Sequence, residues 1–138
     1  MYCSLVQYAS EEDYRRHFET KYCRTPIVTC DGIEVFFRKR MFDHCFFESV
    51  SSKDDTFSRR RAERIDWIAV VLRDPAAELF VGWDGKKKRP ARDRRVAVVS
   101  EDYVVVIRLV QSARAEFVTA FVAERATIRK IRDSERWT

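Results

Sequence analysis

Apolar side chains recur at helical spacing in two parts of the chain. The first stripe predicts a helix over about residues 11–22, with Ser10 as its N-cap and acidic residues in its first turn. The second predicts a helix over residues 58–72, capped by Ser58 and ended by Pro75. The two stripes consist of Tyr14, Phe18 and Tyr22, and of Ile65, Ile68, Ala69 and Leu72.

Runs rich in β-branched and aromatic residues predict strands elsewhere. Asp31-Gly32 separates two such runs and favours the tight turn of a β-hairpin. Four later runs follow one another through mostly short connections, which favour antiparallel neighbours. These runs are residues 78–83, 95–99, 103–110 and 115–123. We therefore predict an α+β fold in which helices pack on a four-stranded antiparallel meander sheet, with an N-terminal helix and β-hairpin.

The composition is typical of one globular domain with a basic surface. The 138 residues are 46% apolar with only three glycines, so we predict a single domain in which residues 1–33 form an N-terminal extension. The net charge of +5 favours a polyanionic partner such as RNA, although a solvated basic surface has the same charge. We find no leader or membrane-spanning run, and the four cysteines then favour reduced thiols in the cytoplasm.

Basic residues crowd the connection between the first two predicted meander strands. We call Lys86, Lys87, Lys88 and Arg89 the basic loop, and Arg92, Arg94 and Arg95 follow it. Such a cluster could bind a nucleic-acid backbone. It is equally typical of a solvated hairpin tip that discourages edge pairing. The basic loop is therefore a candidate RNA-binding element, and both interpretations remain open.

Two residues are candidates for chemistry on a phosphate. His44 lies among phenylalanines after the basic residues 38–40, and such an imidazole could act as a general acid or base near neutral pH. A structural core histidine would have the same local pattern. Alternation along the last strand predicts Thr119 on one face with Phe117 and Phe121, where its hydroxyl could bind phosphate or simply belong to the core.

Metal and thiol chemistry are less well supported by the spacing of the residues. Cys23, Cys30, His44 and Cys45 contain suitable zinc ligand atoms, but they form no closely spaced cysteine pair. Cys45 follows His44 directly, and neighbours in sequence usually point apart, which disfavours a nucleophile and base pair. We therefore predict no metal and no cofactor.

Five short motifs together resemble the phage-type nucleases of the barnase–EndoU–colicin–RelE (BECR) superfamily. The resemblance covers roughly residues 34–132 and rests on the order and spacing of the motifs. They are Asp43-His44-Cys45-Phe46-Phe47, Arg61-Ala62-Glu63-Arg64-Ile65-Asp66-Trp67-Ile68, Leu72-Arg73-Asp74-Pro75, Tyr103-Val104-Val105-Val106-Ile107 and Glu116-Phe117-Val118-Thr119-Ala120-Phe121.

The resemblance implies a helix packed on a four-stranded antiparallel sheet, RNA on the open face of the sheet, and cleavage without a metal. It matches His44, Arg61, Arg64 and Thr119 to catalytic positions and Lys130 to a trailing basic, RNA-binding position. The expected function is that of a toxin or phage-related endoribonuclease acting by 2′-hydroxyl transesterification on tRNA, mRNA or rRNA. The alternative is a catalytically weak RNA- or protein-binding module, and an acidic antitoxin or immunity protein is a further candidate partner.

Overall fold

The computed structural model describes residues 4–84, 86–99 and 102–137, so Cys3 and Gly85 lie outside the described residues. Within these ranges the protein has an α+β fold, and none of its helices is long and apolar enough to cross a membrane. In chain order the elements are α1 (Glu11–Phe18), a π-helical turn (Glu19–Cys23), β1 (Ile27–Val28), β2 (Glu34–Phe36), α2 (Met41–Phe46), β3 (Phe47–Glu48), β4 (Thr56–Phe57), α3 (Arg59–Ala62), α4 (Trp67–Arg73), β5 (Glu78–Asp84), β6 (Arg89–Val98), β7 (Tyr103–Gln111), β8 (Arg114–Val122) and α5 (Arg125–Arg132).

Six strands form one mixed sheet in the order β1-β2-β8-β7-β6-β5, while β3 and β4 pair separately. Strands β5 to β8 are antiparallel neighbours, but β2 pairs with β8 in parallel. The predicted four-stranded antiparallel meander sheet is therefore wrong. An isolated two-stranded hairpin is marginally stable, and a four-stranded meander would leave the edge of β8 unpaired. The β1–β2 hairpin covers part of that edge and gains a partner from it.

The N-terminal helix begins as the sequence predicts. The Ser10 hydroxyl accepts a hydrogen bond from the Asp13 backbone N–H, and three acidic residues occupy the first turn of α1. The helix continues beyond Phe18 as the single π-helical turn. Tyr14, Phe18 and Tyr22 are all buried, which confirms that they share the face that packs on the core.

The helix predicted over residues 58–72 is interrupted between α3 and α4. The Tyr22 hydroxyl donates a hydrogen bond to the Ile65 carbonyl at 2.6 Å and accepts one from the Ala69 N–H at 3.2 Å. These two backbone groups would bond to each other in a continuous α-helix. A side chain inserted between two such backbone groups is a recognised cause of helix breaks. Tyr22, which is far away in sequence, therefore divides the predicted helix into α3 and α4.

The sheet separates two apolar clusters. The larger lies on the face covered by α1, α2 and α4, and includes side chains such as Phe18, Phe46 and Ile68. The smaller lies on the other face, where Ile128 of α5 packs near Phe80 and Val98. Because α5 covers only part of this second face, the remainder of the sheet surface is open.

Candidate active site on the open face of the sheet

An open cavity of about 900 Å³ lies on the face of the sheet that carries α5. This volume is within the range of roughly 300–1,000 Å³ that is usual for ligand pockets. Valines of the central strands and Ile131 of α5 supply much of its apolar lining. Its polar groups include His44, Arg94, Thr119 and Lys130.

His44 reaches the cavity from α2, which packs beside β8 beyond the residues that pair with β2. The neighbouring Cys45 anchors α2 there, since its thiol donates a hydrogen bond to the Ala120 carbonyl at 3.4 Å. The His44 side chain is 43% exposed, and its Nδ1 lies 3.6 Å from Oδ2 of Asp54. His44 is therefore accessible and lies beside a carboxylate.

Asp54 is held by a loop with its own hydrogen-bond network. The Asp54 backbone has a φ of 51°, and its N–H donates to Oγ of Ser49 at 2.9 Å. The Asp55 carboxylate accepts backbone hydrogen bonds from Val50, Ser51 and Ser52, and these bonds hold its pKa below the ordinary value. The loop between β3 and β4 thus positions a carboxylate near His44, a role that no local motif indicated.

Thr119 faces the cavity because β8 contains a bulge. Val106 pairs with Thr119, whereas the next residue, Ile107, pairs with Phe117, so Val118 is the extra residue. Because the bulge inserts one extra residue, the residues on either side of it no longer follow the alternation of faces that a regular strand would have. Phe117 is buried in the larger cluster on the helix side, while Thr119 lines the cavity. The prediction that Phe117 and Thr119 share a face is therefore wrong.

Arg94 enters the cavity through a second irregularity, in β6. Gly82 pairs with Ala91 and Val81 pairs with Arg95, so three residues of β6 have no counterpart on β5. A Cβ atom on Gly82 would lie 2.7 Å from the Arg94 Cβ, which is too close for any other residue type without a shift. Gly82 therefore lets Arg94 lie against β5, where its Nη1 donates to the Trp83 carbonyl at 3.3 Å.

Lys130 approaches the same cavity from α5. Neither Lys130 nor Arg94 forms an ion pair with a carboxylate among the described residues. The cavity also contains Glu135, whose carboxylate is held by the guanidinium of Arg92. The site thus presents two cations that are available to an anionic ligand.

Arg61 and Arg64, the two helix arginines of the sequence motif, do not line the cavity. The Arg61 Nη1 donates to the Phe47 carbonyl at 3.0 Å, at the end of α2. The Arg64 Nη1 donates to the Arg60 carbonyl at 2.6 Å, and its guanidinium lies over the Trp67 ring. Trp67 belongs to the larger cluster, so Arg64 contacts the helix side of the sheet.

Cys45 is not suited to nucleophilic chemistry. Burial raises the pKa of its thiol to about 12, so the thiolate is negligible near neutral pH. Cys23 is partly buried and Cys30 is exposed, and neither lines the cavity. Among residues 4–84, 86–99 and 102–137, no group of three or more histidine, cysteine, aspartate or glutamate side chains could hold a metal ion.

The basic loop forms the exposed connection between β5 and β6. The Asp84 carboxylate accepts the backbone N–H groups of Lys86 and Lys87, which shapes the turn and leaves both ammonium groups exposed. Arg95, grouped with this cluster in the sequence, is instead buried and paired with Asp31. The loop lies next to Trp83 and Pro90, which line the cavity, so its charge is close to the candidate site.

We expect the basic loop to bind RNA through charge rather than sequence. Alanine at Lys86, Lys87 and Lys88 should weaken binding similarly for different RNA sequences. It should also reduce the slope of log affinity against log salt by about 0.7 for each single-strand phosphate that is no longer neutralised. Fluorescence anisotropy over a salt series measures this slope. A matched variant should leave it unchanged: alanine at Arg16, Arg24 and Arg73, which carry the same charge on the helix side. Equal slopes for the loop variant and the wild type would contradict the prediction.

Comparison with protein-family models, with curated proteins and with solved structures found no match.

Proposed function

We propose that the protein is a metal-independent endoribonuclease that cleaves RNA by 2′-hydroxyl transesterification. The observation that carries this proposal is the shared cavity of His44, Thr119 and Lys130, which belong to three separate elements. An apolar lining with an imidazole, a hydroxyl and the cations Arg94 and Lys130 suits a nucleotide, whose base is largely apolar and whose phosphate is charged. The resemblance of the sequence motifs to BECR nucleases, which singled out these three residues, is a further support.

In this mechanism His44 accepts the proton of the ribose 2′-hydroxyl as its oxygen attacks the adjacent phosphorus. The bond from phosphorus to the 5′-oxygen breaks, and the leaving oxygen takes a proton from Lys130. The products are a 2′,3′-cyclic phosphate and a free 5′-hydroxyl. Asp54 stabilises the imidazolium that forms at His44, because the opposite charges lie close together.

The charge that develops on the phosphate oxygens requires donors on the cavity surface. We assign this role to the Thr119 hydroxyl, since donors placed at a developing oxyanion lower the barrier. Arg94, which lies against β5, binds a neighbouring phosphate in this proposal. Arg61 and Arg64 were the sequence-based candidates for this role. Their contacts at Phe47 and Trp67 make them supports of the fold in this proposal.

The proposed substrate is cellular RNA, which places the activity in the cytoplasm. The proposal covers tRNA, mRNA and rRNA as targets. A toxin or phage-related effector of this kind requires neutralisation in its producing cell. The basic loop and the cavity cations would give an acidic antitoxin or immunity protein an electrostatic site that competes with RNA.

Total RNA incubated with the purified protein in excess EDTA should be cleaved at defined positions. End mapping should find 2′,3′-cyclic phosphates upstream and 5′-hydroxyl groups downstream of each cut. Loss of cleavage with EDTA and recovery with a divalent cation would contradict the metal-independent mechanism. Salt-dependent RNA binding with no cleavage under either condition would instead assign the alternative function, a catalytically weak RNA-binding module.

A further inference from the structure

Trp83 is the most exposed aromatic side chain that lines the cavity. It lies near the end of β5 and is 58% exposed, whereas Trp67 is 7% exposed in the core. Trp83 lines the cavity together with Pro90 and Arg94. An indole is costly to leave in water, and its large rigid face is well suited to a flat apolar partner.

The surroundings of Trp83 select for an anionic partner. Arg94 donates to its backbone carbonyl, and the basic loop begins three residues further along the chain. The nearby Asp84 is engaged by the backbone of the turn, and the only ion pair of Glu135 among the described residues is with Arg92. A flat ring next to cations that form no ion pair among the described residues combines apolar stacking with attraction for phosphate, as proteins that bind single-stranded nucleic acid do.

The register of the sheet sets the separation between Trp83 and the proposed reaction centre. Thr119 pairs with Val106 of β7, Val106 pairs with Val96 of β6, and Val96 pairs with Phe80 of β5. Three strand spacings of about 4.8 Å, about 14 Å in all, therefore separate the strand of Thr119 from the strand of Trp83, and Trp83 lies three residues, about 10 Å, further along β5 than Phe80. A nucleotide chain bound at Thr119 could span this distance and place a flanking nucleotide near Trp83.

We propose that Trp83 is the stacking surface for one unpaired base of single-stranded RNA, at a nucleotide that flanks the cleaved phosphate. This inference rests on the proposed ribonuclease function and specifies its substrate class. The base must be unpaired, because both faces of a base inside a duplex are occupied by its neighbours. Arg94 contacts the adjacent phosphate and fixes the distance between the stacked base and the reaction centre.

The test uses short oligonucleotides of 2′-O-methyl RNA, which the protein cannot cleave because the attacking hydroxyl is blocked. Binding of wild type, Trp83→Ala and Trp83→Phe is measured by fluorescence anisotropy. Trp83→Ala should weaken binding roughly 5- to 100-fold, the usual range when one aromatic stacking partner of a base is removed, and Trp83→Phe should retain most of the affinity. The salt dependence should be unchanged, since the same cations still neutralise the phosphates. A single abasic nucleotide at the stacked position should remove the difference between wild type and Trp83→Ala.

The outcomes separate this inference from the proposed function. Equal binding by wild type and Trp83→Ala, with RNA cleavage retained, would overturn the stacking role and leave the ribonuclease intact. Equal affinity of the wild type for matched duplex and single-stranded oligonucleotides would also overturn it. Absence of both RNA binding and cleavage in the wild type would overturn both proposals. Trp83-dependent binding of a polyglutamate peptide, without binding of oligonucleotide, would assign the surface to an acidic protein instead.

Discussion

Replacing His44 by alanine should lower the rate of RNA cleavage by about 10²–10⁴-fold, the usual effect of removing one general acid or base. Binding of RNA should change little, because its affinity comes mainly from cations on the phosphates. The melting temperature should also change little, because the His44 side chain is 43% exposed and its carboxylate neighbour is 3.6 Å away. Cleavage rate, RNA affinity and melting temperature are measured on the same preparation.

The second histidine provides a matched control. His17 accepts or donates hydrogen bonds with Tyr8 at 2.8 Å and with Asp66 at 2.7 Å, and it does not line the cavity. His17→Ala should therefore lower the melting temperature while the activity of the folded fraction persists. Asp54→Asn should reduce cleavage less than His44→Ala. A folded His44→Ala protein with nearly full activity would remove His44 from the mechanism.

Local patterns predicted those parts of the fold that depend on neighbouring residues. The burial of Tyr14, Phe18 and Tyr22 and the pairing of β1 with β2 follow from spacing and from the Asp31-Gly32 turn. The interruption between α3 and α4 depends on a hydroxyl more than 40 residues away. The parallel pairing of β2 with β8 joins residues that are 80 positions apart, such as Glu34 and Arg114, so no local periodicity could indicate it.

The same distinction applies to the candidate site. The sequence predicted His44 from its phenylalanine-rich segment and Thr119 from its place on the last strand, and both residues line the cavity. Arg94 was named only as a member of the basic cluster, because its place in the cavity depends on a bulge. Asp54 and Trp83 were not named, because their positions depend on a loop with a positive φ angle and on the end of a strand. The glycine at position 82 was a usable signal, since an isolated glycine in a strand often marks a bulge or a close backbone approach.

Arg95 shows how a residue from a basic cluster can have a structural role. It is 4% exposed, and its guanidinium donates to both carboxylate oxygens of Asp31 in the β1–β2 turn, with a shortest distance of 2.9 Å. Thr29 also donates to this carboxylate, at 2.6 Å. Burial tends to raise the pKa of Asp31. The hydrogen bonds from Thr29 and Arg95 and the positive charge of Arg95 lower it by more, so the pKa of Asp31 lies below its ordinary value. The pair therefore joins the hairpin to β6.

Asp31→Ala should lower the free energy of unfolding by about 2–3 kcal/mol, because it leaves the Arg95 charge buried without its carboxylate. This is less than the roughly 3–5 kcal/mol expected for breaking a fully buried pair, since Asp31 is 47% exposed. Urea denaturation measures the decrease. The double variant Asp31→Ala with Arg95→Met should be more stable than Asp31→Ala alone, because it also removes the uncompensated charge.

Glu34→Ala, in the same hairpin, is the matched control, since Glu34 is exposed and forms no ion pair among the described residues. The pH dependence supplies an independent check of the pair. Because folding lowers the pKa of Asp31 from 3.8, its contribution is complete above that pH and is lost as the pH falls towards the folded pKa. The stability difference between wild type and Asp31→Ala should therefore be constant near neutral pH and shrink below about pH 4. A difference no larger than that of Glu34→Ala, or one that persists unchanged into acid, would show that the pair does not stabilise the hairpin.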